Sequence, residues 1–206
     1  MMLLILGLLL FFATHSVRIV AEGWRVARIA RMGEPAWKGV YSLLSLLGLA
    51  LMVWGYRETR GAVELWQPPI WTRHVAGLLT LPAFVLVVAA YVPRTRIKAA
   101  LGHPMLVGVM LWALAHLISN DRAGDLLLFG AFLVWAFADY LAARRRDRLA
   151  GTFYASGPMA RDAAAVAIGA AAWALFAIWG HAWLIGVDPF SQVMARHPVI
   201  LCIRET

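Results

Sequence analysis

The sequence predicts an all-α membrane protein: a polytopic helix bundle of about six transmembrane helices, with both termini on the periplasmic side. Three observations carry that prediction. Of the 206 residues, 62% are hydrophobic and only 15% are charged, where a soluble domain of this size carries roughly a quarter charged residues. The apolar residues fall into blocks close to the 20 or so that a helix needs to cross a hydrocarbon core about 30 Å thick. Lysine and arginine alternate in density between successive connections, the pattern that fixes membrane orientation.

The first block, Met1 to Val20, has no basic start and no clear small-residue cleavage pattern. It therefore reads as a retained helix and not as a removed leader. The stretch from Glu22 to Arg31, "EGWRVARIAR", spaces its basic residues three apart, which suits a short helix lying on the inner leaflet. The second and third crossings are Trp37 to Tyr56 and His74 to Val92, and Pro82 falls inside the third. A proline there removes one backbone hydrogen bond and predicts a kink. "GHP" at 102–104 signals a helix start, because proline suits the first turn, and predicts a fourth crossing from Pro104 to Ser119 running on toward Asn120. Gly124 to Ala143 and Asp162 to Val187 complete the set.

Thirteen of the 19 lysines and arginines lie in the connections at 18–38, 94–98 and 144–161. The other six lie at 57–73, at Arg122 and in the C-terminal tail. The positive-inside rule places the first set in the cytoplasm and both termini outside it. The net charge of +8 is split among short loops, so "RRRDR" at 144–148 reads as an anchor beside anionic lipid, and no nucleic acid partner is expected. The single cysteine, Cys202, excludes an intramolecular disulfide and a cysteine-rich metal site.

The chain has no phosphate-binding glycine loop, no HExxH and no GxSxG. Asp139 is the one acidic residue well inside a predicted crossing, and the arginine cluster a turn away is its expected partner. Histidine carries the remaining signal. His15 and His116 fall inside crossings, His181 in the last third of the sixth, and His74 and His103 at helix starts. An ionisable side chain inside a membrane is costly and usually faces the bundle interior. A structural hydrogen bond is the better reading for any one of them; several together point to a shared ligand. Neutral imidazole coordinates iron through one nitrogen, and haem needs only one or two such ligands. A buried zinc usually takes three or four, so haem is the expected cofactor.

Depth does not choose the pair. At a rise of 1.5 Å per residue, His15 lies about 5 Å to the cytoplasmic side of the membrane centre and His116 about 5 Å to the other side. His103 lies about 15 Å to the cytoplasmic side, so both fourth-helix histidines are roughly 10 Å from His15.

Five segments resemble one family. "ATHSVR" on the first helix, "PPIWTRH" before the third, "HPMLVGVMLWALAHLISND" on the fourth, "LLLFGAFLVWAFAD" on the fifth and "HAWLIGV" on the sixth are similar to the NnrU family of bacterial membrane proteins. The resemblance spans about residues 1–190 as one transmembrane domain and leaves 191–206 as a short atypical tail. It implies a link to denitrification and nitric oxide metabolism, and a distant relation to 15-cis-zeta-carotene isomerase, a haem b enzyme. By that relation His15 and His116 are the implied iron ligands. Ala113 stands where the isomerase has a cysteine. His103 remains a candidate cofactor-binding residue, as a helix cap or a contact for an interfacial group. "GHPM" at 102–105 is also a weak echo of the isoprenylcysteine methyltransferases, which carry "RHP" before a membrane helix and a paired-glutamate stretch where this chain has "RRRDRLAGTFYASG".

The resulting expectation is a haem b protein with isomerase-like or redox chemistry on a small or lipid-soluble substrate. The competing class is a non-enzymatic accessory or sensory protein, partnered with nitrite or nitric oxide reductase subunits. A proton-relay transporter is disfavoured by the scarcity of carboxylates within the crossings.

Overall fold

The computed structural model describes residues 1–61 and 64–189. The tail at 191–206, with His197 and Cys202, lies outside the described residues. The elements are α1 (Met2–Val20), α2 (Glu22–Met32), α3 (Glu34–Glu58), α4 (Trp71–Tyr91), α5 (Arg96–Leu101), α6 (Pro104–Ser119), α7 (Ala123–Ala150), α8 (Met159–Leu175) and α9 (His181–Ile185). A 3-10 turn at Thr59–Gly61 follows α3, and a π-helical turn at Phe176–Gly180 joins α8 to α9. Among the described residues there is no β-strand, only an isolated bridge between Glu64 and Arg122.

Five helical stretches are long and apolar enough to cross a membrane: α1, α3, α4, α7 and the continuous run Met159–Ile185. The apolar helix α6 is shorter, at 16 residues. It does not run on past Ser119. Asn120 is extended there, and both its backbone N–H and its side-chain amide donate to the His116 carbonyl, at 3.0 and 2.8 Å. In the other direction α7 runs further than expected, because the arginines at 144–148 continue the helix until Gly151 closes it in the left-handed conformation, φ +60°.

Many large apolar side chains point outward, among them Leu9, Leu43, Trp54, Leu78, Val134 and Phe137. In water such a surface would be an interaction site over most of its area; facing lipid it costs nothing. The buried positions are instead rich in small residues, including Ala83, Ala89, Ala113, Ala115, Ala136 and Ala165. Small residues let membrane helices approach closely and gain dispersion contacts where no hydrophobic driving force exists between helices. The closest approach is between α1 and α3, where Gly55 lies so near α1 that a Cβ would overlap the Leu4 nitrogen.

Side-by-side contacts run in the order α3, α1, α7, α6, α4, α8, and α9 returns to α3. Arg57 closes that return by donating to the Trp183 carbonyl at 3.1 Å. The antiparallel pairing of α1 with α3 therefore puts the start of α1 and the end of α9 at the same end of the bundle. Asp125, 5% exposed, fixes that end. Its carboxylate accepts from the Tyr56 hydroxyl at 2.6 Å and from the Arg122 backbone N–H at 2.9 Å. The segment after residue 63 is strapped over the α6–α7 turn by Leu65 N–H to the Asp121 carbonyl and by the Trp66 indole to the Asn120 carbonyl.

The opposite end carries the arginine-rich connections. Arg161 donates to the Pro93 carbonyl, Gly157 N–H to the Arg94 carbonyl, and Ile97 N–H to Asp162. Asp139 pairs with Arg146 at 3.5 Å, the expected partner cluster. The amphipathic α2 sits at this end with no buried residue, and its Arg28 lies over the Trp24 ring.

Candidate functional site

His15 and His116 share one local geometry. Each is anchored to the carbonyl one turn back: His15 Nδ1 donates to Phe11 at 2.8 Å, and His116 Nδ1 donates to Trp112 at 2.8 Å. A carbonyl can only accept, so the proton sits on Nδ1 and leaves Nε2 with its lone pair. That is the arrangement by which metal-binding histidines are usually oriented.

Their surroundings differ. The His15 ring stacks on Phe11 at 3.9 Å, with Tyr41 of α3 and Trp135 of α7 beside it. The His116 ring stacks on Phe129 of α7 at 4.5 Å. A run of packed rings joins the two positions: Phe11 meets Phe132 at 5.6 Å, Phe132 meets Trp112 at 5.4 Å, and Trp112 meets His116 at 5.2 Å. Packed aromatic rings thus connect the surroundings of the two histidines. Of the two, His116 and not His15 is among the residues that line the cavity between α4, α6 and α8.

A cavity of about 540 Å³ does open on the other side of His116. Its walls come from α4, α6, α8, the π turn and α9. Leu78, Leu81, Phe84, Trp112, Trp173 and Phe176 supply apolar surface. His74, His116 and His181 supply imidazoles, and Arg73 and Asp188 place charge at its border. Trp173 is held in position by its indole N–H donating to Thr80 at 3.0 Å, a bond between α8 and α4. Volume and lining fall within the usual range for a small-molecule or cofactor site, roughly 300–1,000 Å³ and mostly apolar with a few convergent polar groups. Among the described residues no three His, Cys, Asp or Glu side chains converge closely enough to hold a metal ion unaided.

Sequence reasoning left His74 and His181 without a role. His74 stands at a helix start and His181 in the last third of the sixth predicted crossing, and the packing of α4 against α6 and α8, with the π turn before His181, carries them to the same space as His116.

His103 is placed elsewhere, at the arginine-rich end. Its Nε2 pairs with Asp147 at 2.9 Å, and Tyr154 donates to the same carboxylate at 3.1 Å. Gly102 makes room for this cluster: it takes φ +72°, and a Cβ there would lie 2.6 Å from Arg144 Nη1. His103 is therefore engaged in tying the start of α6 to the end of α7 and does not line the cavity. Burial and the neighbouring Asp147 carboxylate raise the Tyr154 hydroxyl above its usual titration range. A group whose pKa is raised on folding favours the fold while protonated, and that contribution is lost as the phenol ionises. We expect the thermal stability of the detergent-solubilised protein to fall above about pH 10, and Tyr154→Phe to flatten that part of the profile. Equal slopes in the two proteins would remove the clamp.

Fold and site together define a polytopic helical membrane protein with a histidine-bearing cavity at one end of the bundle. The family model described as NnrU protein matches residues 3–189, and the chain belongs to the NnrU family. No curated protein and no solved structure matches it.

Proposed function

We propose that this NnrU-family protein binds haem b in the cavity between α4, α6 and the α8–α9 segment, with His116 as an iron ligand. One observation carries the reading. His116 presents an Nε2 lone pair at the wall of a cavity of about 540 Å³, and its ring is locked from behind by the Trp112 carbonyl and the Phe129 face.

The donor set fits this group better than a bare ion. A macrocycle brings its own four equatorial nitrogens and asks the protein for one or two imidazoles, whereas a structural or catalytic zinc asks for at least three protein ligands. The aromatic and aliphatic walls suit an apolar ring. Phe84 and Phe176, in tilted contact at 5.8 Å, and the tethered Trp173 provide flat surfaces for it. Arg73 and Asp188 bring charge to the rim, where the polar substituents of a guest would remain. When bound, haem supplies an iron centre for redox or Lewis-acid chemistry, and the protein's part is to hold, orient and insulate it.

The cavity's apolar walls support a small or lipid-soluble substrate, on which isomerase-like or redox chemistry is proposed. A place in denitrification and nitric oxide metabolism is supported by the family resemblance. An inner-membrane setting with the cavity on the periplasmic side is supported by the 13 basic residues in the connections at the other end. α6 serves as the sixth crossing in this arrangement, its 16 residues spanning about 24 Å and the α5 turn making up the rest.

The test is the haem content of the full chain purified in detergent from haem-replete cells. We expect about one haem b per chain by extraction and pigment assay. A well-folded preparation without haem would overturn the reading.

A further inference from the structure

The last apolar stretch is not one uninterrupted α-helix. Between α8 and α9 the residues Phe176–Gly180 form a π-helical turn, closed by the His181 N–H donating to the Phe176 carbonyl five residues back. Single π turns inside helices are uncommon and frequent at functional sites, because they take up one extra residue and reset the face that follows.

That reset decides where His181 points. In an unbroken α-helix His181 would stand eight residues beyond Trp173, about 80° around the axis from it. With one residue absorbed by the π turn it takes the place of the seventh, about 20° from Trp173. The cavity lining agrees: Trp173, Phe176, Ala177 and His181 all border it. Phe176 meets His181 edge-on at 5.9 Å. Gly180 permits the arrangement, since a Cβ there would lie 2.7 Å from the Phe176 ring.

His181 is also pre-oriented. The chain turns back at Gly186, φ +77°, and the Val187 carbonyl accepts from His181 Nδ1 at 2.6 Å. The proton is again on Nδ1, and Nε2 has no hydrogen-bond partner among the described residues. This repeats the arrangement at His116, produced by a different backbone device on a different wall of the same cavity.

We propose that His181 is the second imidazole donor of this site, acting with His116 on one guest, and that His15 is not. The proposal rests on the haem reading above and specifies which residue completes it. His74 borders the same cavity, but it stands in the first turn of α4 without an anchoring hydrogen bond among the described contacts, so it serves as the control position.

The experiment is electron paramagnetic resonance and absorption spectroscopy of the full-length, haem-loaded chain in detergent. Wild type is expected to be six-coordinate and low-spin. His181→Ala is expected to keep its haem and shift to high-spin, with added imidazole restoring the low-spin signal. His181→Gln, which retains a polar side chain near the Val187 turn, is expected to give the same shift should the alanine variant fold poorly. His74→Ala and His15→Ala are expected to remain low-spin. A low-spin signal that survives in His181→Ala, or that is lost in His15→Ala or His74→Ala, overturns the proposal while leaving haem binding intact. A high-spin wild type overturns it as well. A wild-type chain without haem overturns both this proposal and the reading on which it rests.

Discussion

Replacing His116 by alanine is expected to abolish haem retention, with affinity falling by well over the roughly 10- to 100-fold typical of losing a mere supporting contact at a metal site. The argument is local. His116 sits on α6 with its ring pinned between Phe129 and the Trp112 carbonyl, and the free nitrogen is its only unsatisfied polar atom. Alanine removes that nitrogen together with the ring stacked on Phe129, and it keeps the helix, since alanine is the best helix former and α6 is already rich in it. Far-ultraviolet circular dichroism should therefore be unchanged while the haem absorption disappears. His15→Ala should behave oppositely. It deletes a ring packed against Phe11 and Tyr41, which affects the α1–α3 packing and leaves the cavity walls as they are. Retention of haem by His116→Ala, or its loss from His15→Ala, would move the site to the other side of the aromatic run.

A second large effect is expected at Gly55. Leucine there is expected to lower stability by about 3 kcal/mol, the upper part of the range for overpacking. A Cβ would already overlap the backbone of Leu4 and lie 2.7 Å from the Leu3 carbonyl carbon. The obstruction is main chain, so rotamer changes cannot relieve it and α1 must move away from α3. That motion would also pull at Tyr56, one residue on, and through it at the buried Asp125 carboxylate. Gly39→Leu is the control, since nothing lies within 4 Å of its Cβ. Unfolding midpoints in a detergent titration should separate the two variants clearly. Equal midpoints would mean that the close approach of α1 and α3 contributes little.

The helices were legible because hydrophobic length is a coarse and strong signal. Blocks of apolar residues bounded by arginine gave α1, α3 and α4 to within a few positions, and "GHP" marked the start of α6 through the first-turn preference of proline. The extension of α7 through its arginines was missed because charge was read as a loop; in a helix leaving the membrane those side chains simply face water and headgroups. The tight α1–α3 contact was also hidden. Gly7, Gly48 and Gly55 do not form a four-residue repeat, and their alignment depends on the partner helix.

The candidate site was half legible. Position within a crossing marked His15 and His116 alike, and the family resemblance chose His116 over His103 on the fourth helix. The expected pairing with His15 rested on resemblance alone, since depth did not choose between the fourth-helix histidines, and neither shows the contacts among the Phe11, Phe132 and Trp112 rings. His181 was hidden for a sharper reason. Its direction depends on a π turn, and a 3.6-residue periodicity assigns it to the wrong face.

An experimental density map of the haem-replete protein in a lipid nanodisc would test the central claim most directly. The account predicts planar density between α4, α6 and the π turn, joined to the Nε2 of His116. Density for a macrocycle beside His15, or lipid tails alone in the cavity of a pigmented preparation, would contradict it.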